Sequence, residues 1–172
     1  VMCLAVAGAG HIAAGYEDGT VALWDLRSHS RPLHYARLHS EAVLGIAVDG
    51  KARGAASVGA DGALNQIALR PQGVGAECMQ LRKAHSYDQG IGDVTIRSDA
   101  CLVATAGWDH RVRVFDHHKH RPLASLKYHT AAVSCVAFSQ DASCMASGGK
   151  DSNIALWDIF PPRTRAQSEP ER

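Results

Sequence analysis

Four segments of this chain carry one pattern in one register: 14–25, 57–68, 105–116 and 147–158. In each, a turn aspartate (Asp18, Asp61, Asp109, Asp151) stands six positions before a large closing residue (Trp24, Ile67, Phe115, Trp157). The closing residues are 43, 48 and 42 positions apart. A second marker runs in phase with the first. His39, His85 and His129 precede Asp61, Asp109 and Asp151 by 22, 24 and 22 positions. Units of this length cannot bury an apolar face alone, so they must stack neighbour on neighbour.

Within each unit the apolar residues alternate and the breaks carry Gly, Asp or Pro, which reads as short strands joined by tight turns. Strands are predicted near 2–7, 11–16, 20–26 and 32–37, then 43–48, 54–59, 63–69 and 76–82. The third unit has 91–97, 101–107, 111–117 and 122–127, and the fourth only 132–138, 144–148 and 153–159. The chain is thus expected to be all-β, with blades near 2–37, 43–82, 91–127 and 132–159 inside a 1–160 domain. Pro161, Pro162 and the polar stretch that follows predict a disordered tail over 161–172. With His, Ser or Thr, Asp and Trp at these spacings, the chain resembles a WD-repeat β-propeller over about residues 2–159.

A last blade of three strands is what a ring closed by a strand from the far terminus would leave, since closure removes long exposed edges. Seven blades need roughly 300 residues. The expectation is therefore four blades of a seven-bladed ring, the C-terminal half of a longer parent. An opening on Val rather than Met agrees with that.

Composition narrows the function classes. Lys and Arg number 18 against 17 Asp and Glu, a net charge of +1, which argues against binding nucleic acid through a basic surface. The longest uncharged run, Val1 to Tyr16, is too short and too glycine-rich to span a bilayer. Five cysteines without a CxxC pair suit reduced thiols in the cytoplasm or nucleus better than a secreted disulfide framework.

His129, Ser147 and Asp151 could be mistaken for a hydrolase triad. A structural relay is the better reading: turn Asp to loop His, His to strand Ser or Thr, and that hydroxyl to the Trp indole N–H. The relay set is His39, Ser57 and Asp61; His85, Thr105 and Asp109; His129, Ser147, Asp151 and Trp157; and the remnant Asp18 and Trp24. It recurs in each unit, decays piecemeal (Ala14 for Ser, Ile67 and Phe115 for Trp), and no G-x-S-x-G elbow surrounds either serine.

Other near matches also read as structure. Gly8-Ala9-Gly10-His11-Ile12-Ala13 fits a dinucleotide fingerprint, but the Asp18-Gly19 turn leaves no room for the helix it requires. Gly148-Gly149-Lys150 lacks the rest of a phosphate loop. His117-His118-Lys119-His120 has no further ligand at metal-binding spacing and reads as a solvated loop. Cys135 reads as a small buried core residue. No cofactor, metal or small-molecule substrate is expected.

The residue before each turn aspartate should lie on one rim: Glu17, Ala60, Trp108 and Lys150. Trp108 is the unusual one, a large aromatic in a tight turn near Arg111, either packed on a neighbouring blade or anchoring an interface. Tyr128, Tyr16 and Lys150 extend this candidate protein-binding patch.

Two stretches are narrower than a generic blade: Val94–Arg97 with Ala104–Phe115, and the ending Ile154–Pro161. With Ala14–Gly19 they are similar to the G-protein β-subunit-like WD-repeat proteins. That group includes the fungal ASTRA-associated protein 1 and the plant protein DECREASED SIZE EXCLUSION LIMIT. Pro32–Tyr35 with His39–Glu41 looks closest to the plant branch. Arg70-Pro71 and Gly73–Gly75 depart from the pattern. The resemblance implies a non-catalytic scaffold whose partners are proteins of the ASTRA and Tel2–Tti1–Tti2 assemblies. These support maturation and stability of phosphatidylinositol-3-kinase-related kinases, with chromatin and DNA-damage roles through such clients. The alternatives are a heterotrimeric G-protein β subunit, which would need a coiled-coil helix for a γ chain, and a hydrolase using His129, Ser147 and Asp151.

Overall fold

The computed structural model describes residues 1–8, 10–28, 30–70 and 79–159. The tail expected over 161–172 and the Gly73–Gly75 stretch lie outside them. Among the described residues all fifteen regular elements are strands. The first sheet is β1 (Cys3–Val6), β2 (His11–Gly15), β3 (Thr20–Asp25) and β4 (His34–Arg37); the second is β5 (Val43–Val48), β6 (Gly54–Gly59), β7 (Ala63–Leu69) and β8 (Met79–Ser86). The third is β9 (Ile91–Ile96), β10 (Leu102–Gly107), β11 (Arg111–Asp116) and β12 (Arg121–Lys127), and the fourth is β13 (Val133–Phe138), β14 (Cys144–Gly149) and β15 (Ile154–Asp158). Each sheet is an antiparallel meander with its strands in chain order. No helix among the described residues is long and apolar enough to cross a membrane.

The turns explain why each meander forms. After every turn aspartate the backbone must take positive φ: Gly19 (φ 85) and Gly62 (φ 72) supply it without a side chain, His110 (φ 68) and Ser152 (φ 62) against a steric cost. A carboxylate oxygen caps the turn in three units, accepting from Thr20 N, Ala63 N and Asn153 N. The next amide outward then ties the turn to the start of the first strand: Ala60 N to Ala42 O, Trp108 N to Gly90 O, and Lys150 N to Ala132 O, at 2.8–3.0 Å.

The core lies between sheets. β5 packs on β1 and β2, β9 on β5 and β6, and β13 on β9 and β10, so the first strands line the inside of an arc of four blades. Val21, Leu23, Val43 and Ile67 fill the first interface; Val58, Leu64, Ile91 and Phe115 the second; Val112, Val133 and Met145 the third. Alternation along each strand puts one face into each interface. Among the described residues no sheet covers the two outer faces of the arc, which leaves Leu4 and Val6 at one end and Ile154 and Leu156 at the other exposed by 62–76%. Cys135, expected in the core, is exposed for the same reason. It points the opposite way from Val136, which is buried against the third sheet.

Asp93 on β9 links the third sheet to the fourth. One oxygen accepts from Val94 N at 2.8 Å, the other from Val136 N at 3.0 Å on β13. Burial pushes this carboxyl up, against the two amide bonds.

β8 differs from the sequence expectation. It runs on past 82 to Ser86, with His85 paired opposite Leu64, while the expected start at 76 lies outside the described residues. His85 is therefore a strand residue, whereas His39 and His129 follow the ends of β4 and β12.

Candidate functional site: polar relays and the rim they hold

The second unit holds a complete His–Ser–Asp set. His39 Nδ1 is 3.0 Å from Asp61 Oδ1 and its Nε2 is 2.9 Å from Ser57 Oγ. An ionised carboxylate only accepts, so Nδ1 carries the proton and Nε2 accepts from the serine hydroxyl. Asn65 stands nearby and donates to Leu38 O at 2.8 Å. Burial acts to raise the Asp61 carboxyl, but bonds from His39 and from the Ala63 and Ser40 amides outweigh it and hold it below the usual carboxylate range. Ile67 has no side-chain N–H, so the chain of bonds stops at Ser57.

The fourth unit runs one step further. Trp157 Nε1 donates to Ser147 Oγ at 2.9 Å, and the same oxygen is 2.9 Å from His129 Nε2. His129 Nδ1 meets both oxygens of Asp151 at 3.1 Å. Asp151 also accepts from Thr130 N and Asn153 N, and against the raising effect of burial these bonds keep its carboxyl far below the ordinary range. Tyr128 lies edge-on to both His129 and Trp157, with ring centres 5.4 and 6.2 Å away.

The third unit does not contain the expected relay. Asp109 is held by Arg113 through both terminal nitrogens, at 3.0 and 2.5 Å, and not by His85. Arg113 lies 4.0 Å over the ring of Tyr87, and the buried hydroxyl of Thr105 has no hydrogen-bond partner among the described residues. Tyr87 stands 22 positions before Asp109, the spacing of His39 and His129 from their aspartates. The histidine position of this unit is thus occupied by tyrosine, and an arginine fills the gap with a cation–π contact and a bidentate ion pair. His85 instead packs its ring 5.0 Å from that of Phe115. Counting 22 from each turn aspartate would have found Tyr87; the nearby histidine hid it.

In the first unit Ala14 leaves no hydroxyl for the indole. Trp24 Nε1 donates to the Tyr16 hydroxyl at 3.0 Å instead, and Asp18 accepts only locally, from Thr20 N. Tyr16, nominated for the binding patch, is half-buried in this bond.

The other patch residues lie on the same end of the arc: Trp108 and Arg111 at the β10–β11 turn, Tyr128 after β12 and Lys150 at the β14–β15 turn. Trp108 covers the backbone of Gly90 and Gly92, where an added Cβ would come within 2.5 and 3.2 Å of its ring, and it remains 39% exposed. It therefore lies on the first strand of its own blade. Arg111 is 3.7 Å from Asp109, with its side chain 36% exposed. Tyr128 and Lys150 are exposed. No group of three or more His, Cys, Asp or Glu among the described residues is placed to hold a metal ion.

A family profile described as WD domain, G-beta repeat matches residues 1–25, 76–116 and 120–158. The chain belongs to the WD-repeat family. Its WD repeats are also similar to individual proteins. Guanine nucleotide-binding protein subunit beta-like protein 1 of Mus musculus is 40% identical over 151 residues, covering 87% of this chain and 44% of that protein. ASTRA-associated protein 1 of Schizosaccharomyces pombe is 30% identical over 87% of this chain and 44% of its own length. The Aspergillus flavus protein of that name is 33% identical over 87% and 47%. This WD-repeat chain spans less than half the length of these curated relatives.

Proposed function

We propose that this chain is part of a non-catalytic adaptor that presents loops from a rigid propeller sector to protein partners. The observation that carries the non-catalytic reading is the state of Ser147. The residue is 2% exposed and its oxygen is held between His129 and the Trp157 indole, so a substrate carbonyl has no approach to it. Ser57, at 0% exposure, is equally closed. A nucleophile has to face a site roughly 3 Å from both itself and oxyanion donors, which a buried relay lacks.

The assembly we assign is the one linked to ASTRA and Tel2–Tti1–Tti2, acting in maturation of phosphatidylinositol-3-kinase-related kinases in the cytoplasm, the nucleus or both. Relatives named as ASTRA-associated support this choice. The beta-like relative supports a second reading, a heterotrimeric G-protein β-like subunit. Affinity purification of the full-length protein from its own cells, with mass spectrometry, separates the two. Recovery of ASTRA-linked subunits and kinases is expected. Recovery of a γ chain in their place would favour the second reading, and hydrolytic turnover lost in Ser147→Ala would overturn the adaptor.

A further inference from the structure

The end of the arc opposite the relay turns carries a cleft of about 870 Å³ between the second and third blades. It is bounded by the β5–β6, β9–β10 and β11–β12 turns. The last was expected to be a solvated loop, and His118 and Lys119 are exposed, but His117 and His120 turn into the protein. His117 is 6% exposed, and Gly54 makes room for its ring: a Cβ there would lie 2.5 Å from His117 Nε2. His120 is half-buried and bonds the Oε1 of Gln66 through Nδ1.

The charges of this cleft do not cancel. Asp49 is occupied by the amides of Lys51 and Arg53, at 2.8 and 3.1 Å, with His117 Nε2 a further contact at 3.7 Å. Asp99 is gripped by Arg97 at 3.0 and 2.6 Å. Lys51, Arg53 and Arg82 also line the cleft, and among the described residues none of the three makes an ion pair. One buried nitrogen of the wall, His117 Nδ1, also lacks a hydrogen-bond partner among the described residues. Unpaired cations around a wall with an unfilled nitrogen are a setting for an anion with several acceptor oxygens.

We propose that this cleft binds a phosphorylated serine or threonine on a segment of a protein partner. Arg53 and Arg82 would clamp the phosphoryl oxygens, and Lys51 would add charge at the mouth. The volume is that of a site for a side chain with its neighbours, larger than a lone phosphate fills. A net charge of +1 argues against a nucleic-acid backbone as the ligand. That the segment comes from a protein rests on the adaptor reading above.

The test is fluorescence polarisation of the full chain with a short acidic peptide bearing one phosphoserine, beside its unphosphorylated form. The phosphopeptide should bind about tenfold tighter, the scale of one or two charge-assisted hydrogen bonds. Joint replacement Arg53→Ala with Arg82→Ala should remove that preference without shifting the melting temperature, Arg82→Lys should restore part of it, and Trp108→Ala on the opposite end should leave it intact. Equal binding of the two peptides, an unaffected double variant, or preference for inositol hexakisphosphate or an oligonucleotide over the phosphopeptide would overturn the proposal. In the cellular purification, partners that remain bound after phosphatase treatment would sink the cleft and spare the adaptor. Recovery of no partner at all would sink the adaptor itself.

Discussion

The guanidinium carbon of Arg113 lies 4.0 Å from the centre of the Tyr87 ring while its nitrogens grip Asp109. This arrangement links the turn of the third unit to the connection between β8 and β9, the task that His39 and His129 perform in the second and fourth. Both solutions tie down the same aspartate, so the loop geometry is preserved although the chemistry differs.

Arg113→Lys keeps the charge but loses the planar fork and its stacking, so it should destabilise the chain by about 1–2 kcal/mol. Tyr87→Phe keeps the ring and should cost little. Urea unfolding of the two variants checks this, and equal effects would show that the ring face is not what Arg113 uses.

Ser147→Ala removes the oxygen that joins His129 to Trp157. Stranding two buried nitrogens should cost about 1–3 kcal/mol. The fall should appear in thermal unfolding, and Trp157 fluorescence should report a changed indole environment.

Asp61 and Asp109 have carboxyls below their ordinary range in the folded chain. Their unfolded values lie near 3.9, so as the pH falls the unfolded chain takes up protons first. Their stabilisation should be complete above about pH 5 and decline as the pH drops below about 4. Melting curves across that range should show the loss, and Asp109→Asn should flatten the dependence.

His110 holds φ 68 in the turn position where the first two units have glycine. His110→Gly relieves a left-handed strain of about 1–2 kcal/mol while adding unfolded-state entropy of about 0.5–1 kcal/mol. The net expectation is a small rise in melting temperature. A fall would mean that the His110 side chain makes a contact worth more than the strain.

Trp108→Ala should weaken capture of a partner by about 2 kcal/mol with little change in melting, because the ring is part-exposed and packs on glycine backbone. Titration against the purified partner checks it, and unchanged affinity would remove Trp108 from the interface.

Much of this molecule is written in short-range pattern. Period-two alternation and Asp-Gly turns specify strands and meanders through neighbours in the chain. The 22-residue spacing of His39 from Asp61, and of His129 from Asp151, brings those side chains within bonding distance. The repeat period likewise dictates that sheets must stack. What stacking then does to each side chain depends on residues far away. His85 is the visible histidine, but β8 runs past it and delivers Tyr87 to the relay position. Cys135 looks like core until the fourth sheet is found to have a single covered face. His117 reads as loop until Gly54, on another blade, opens the space that buries it. Alternation and turn chemistry are local energies, legible residue by residue, whereas burial and charge pairing between blades arise only when the sheets meet.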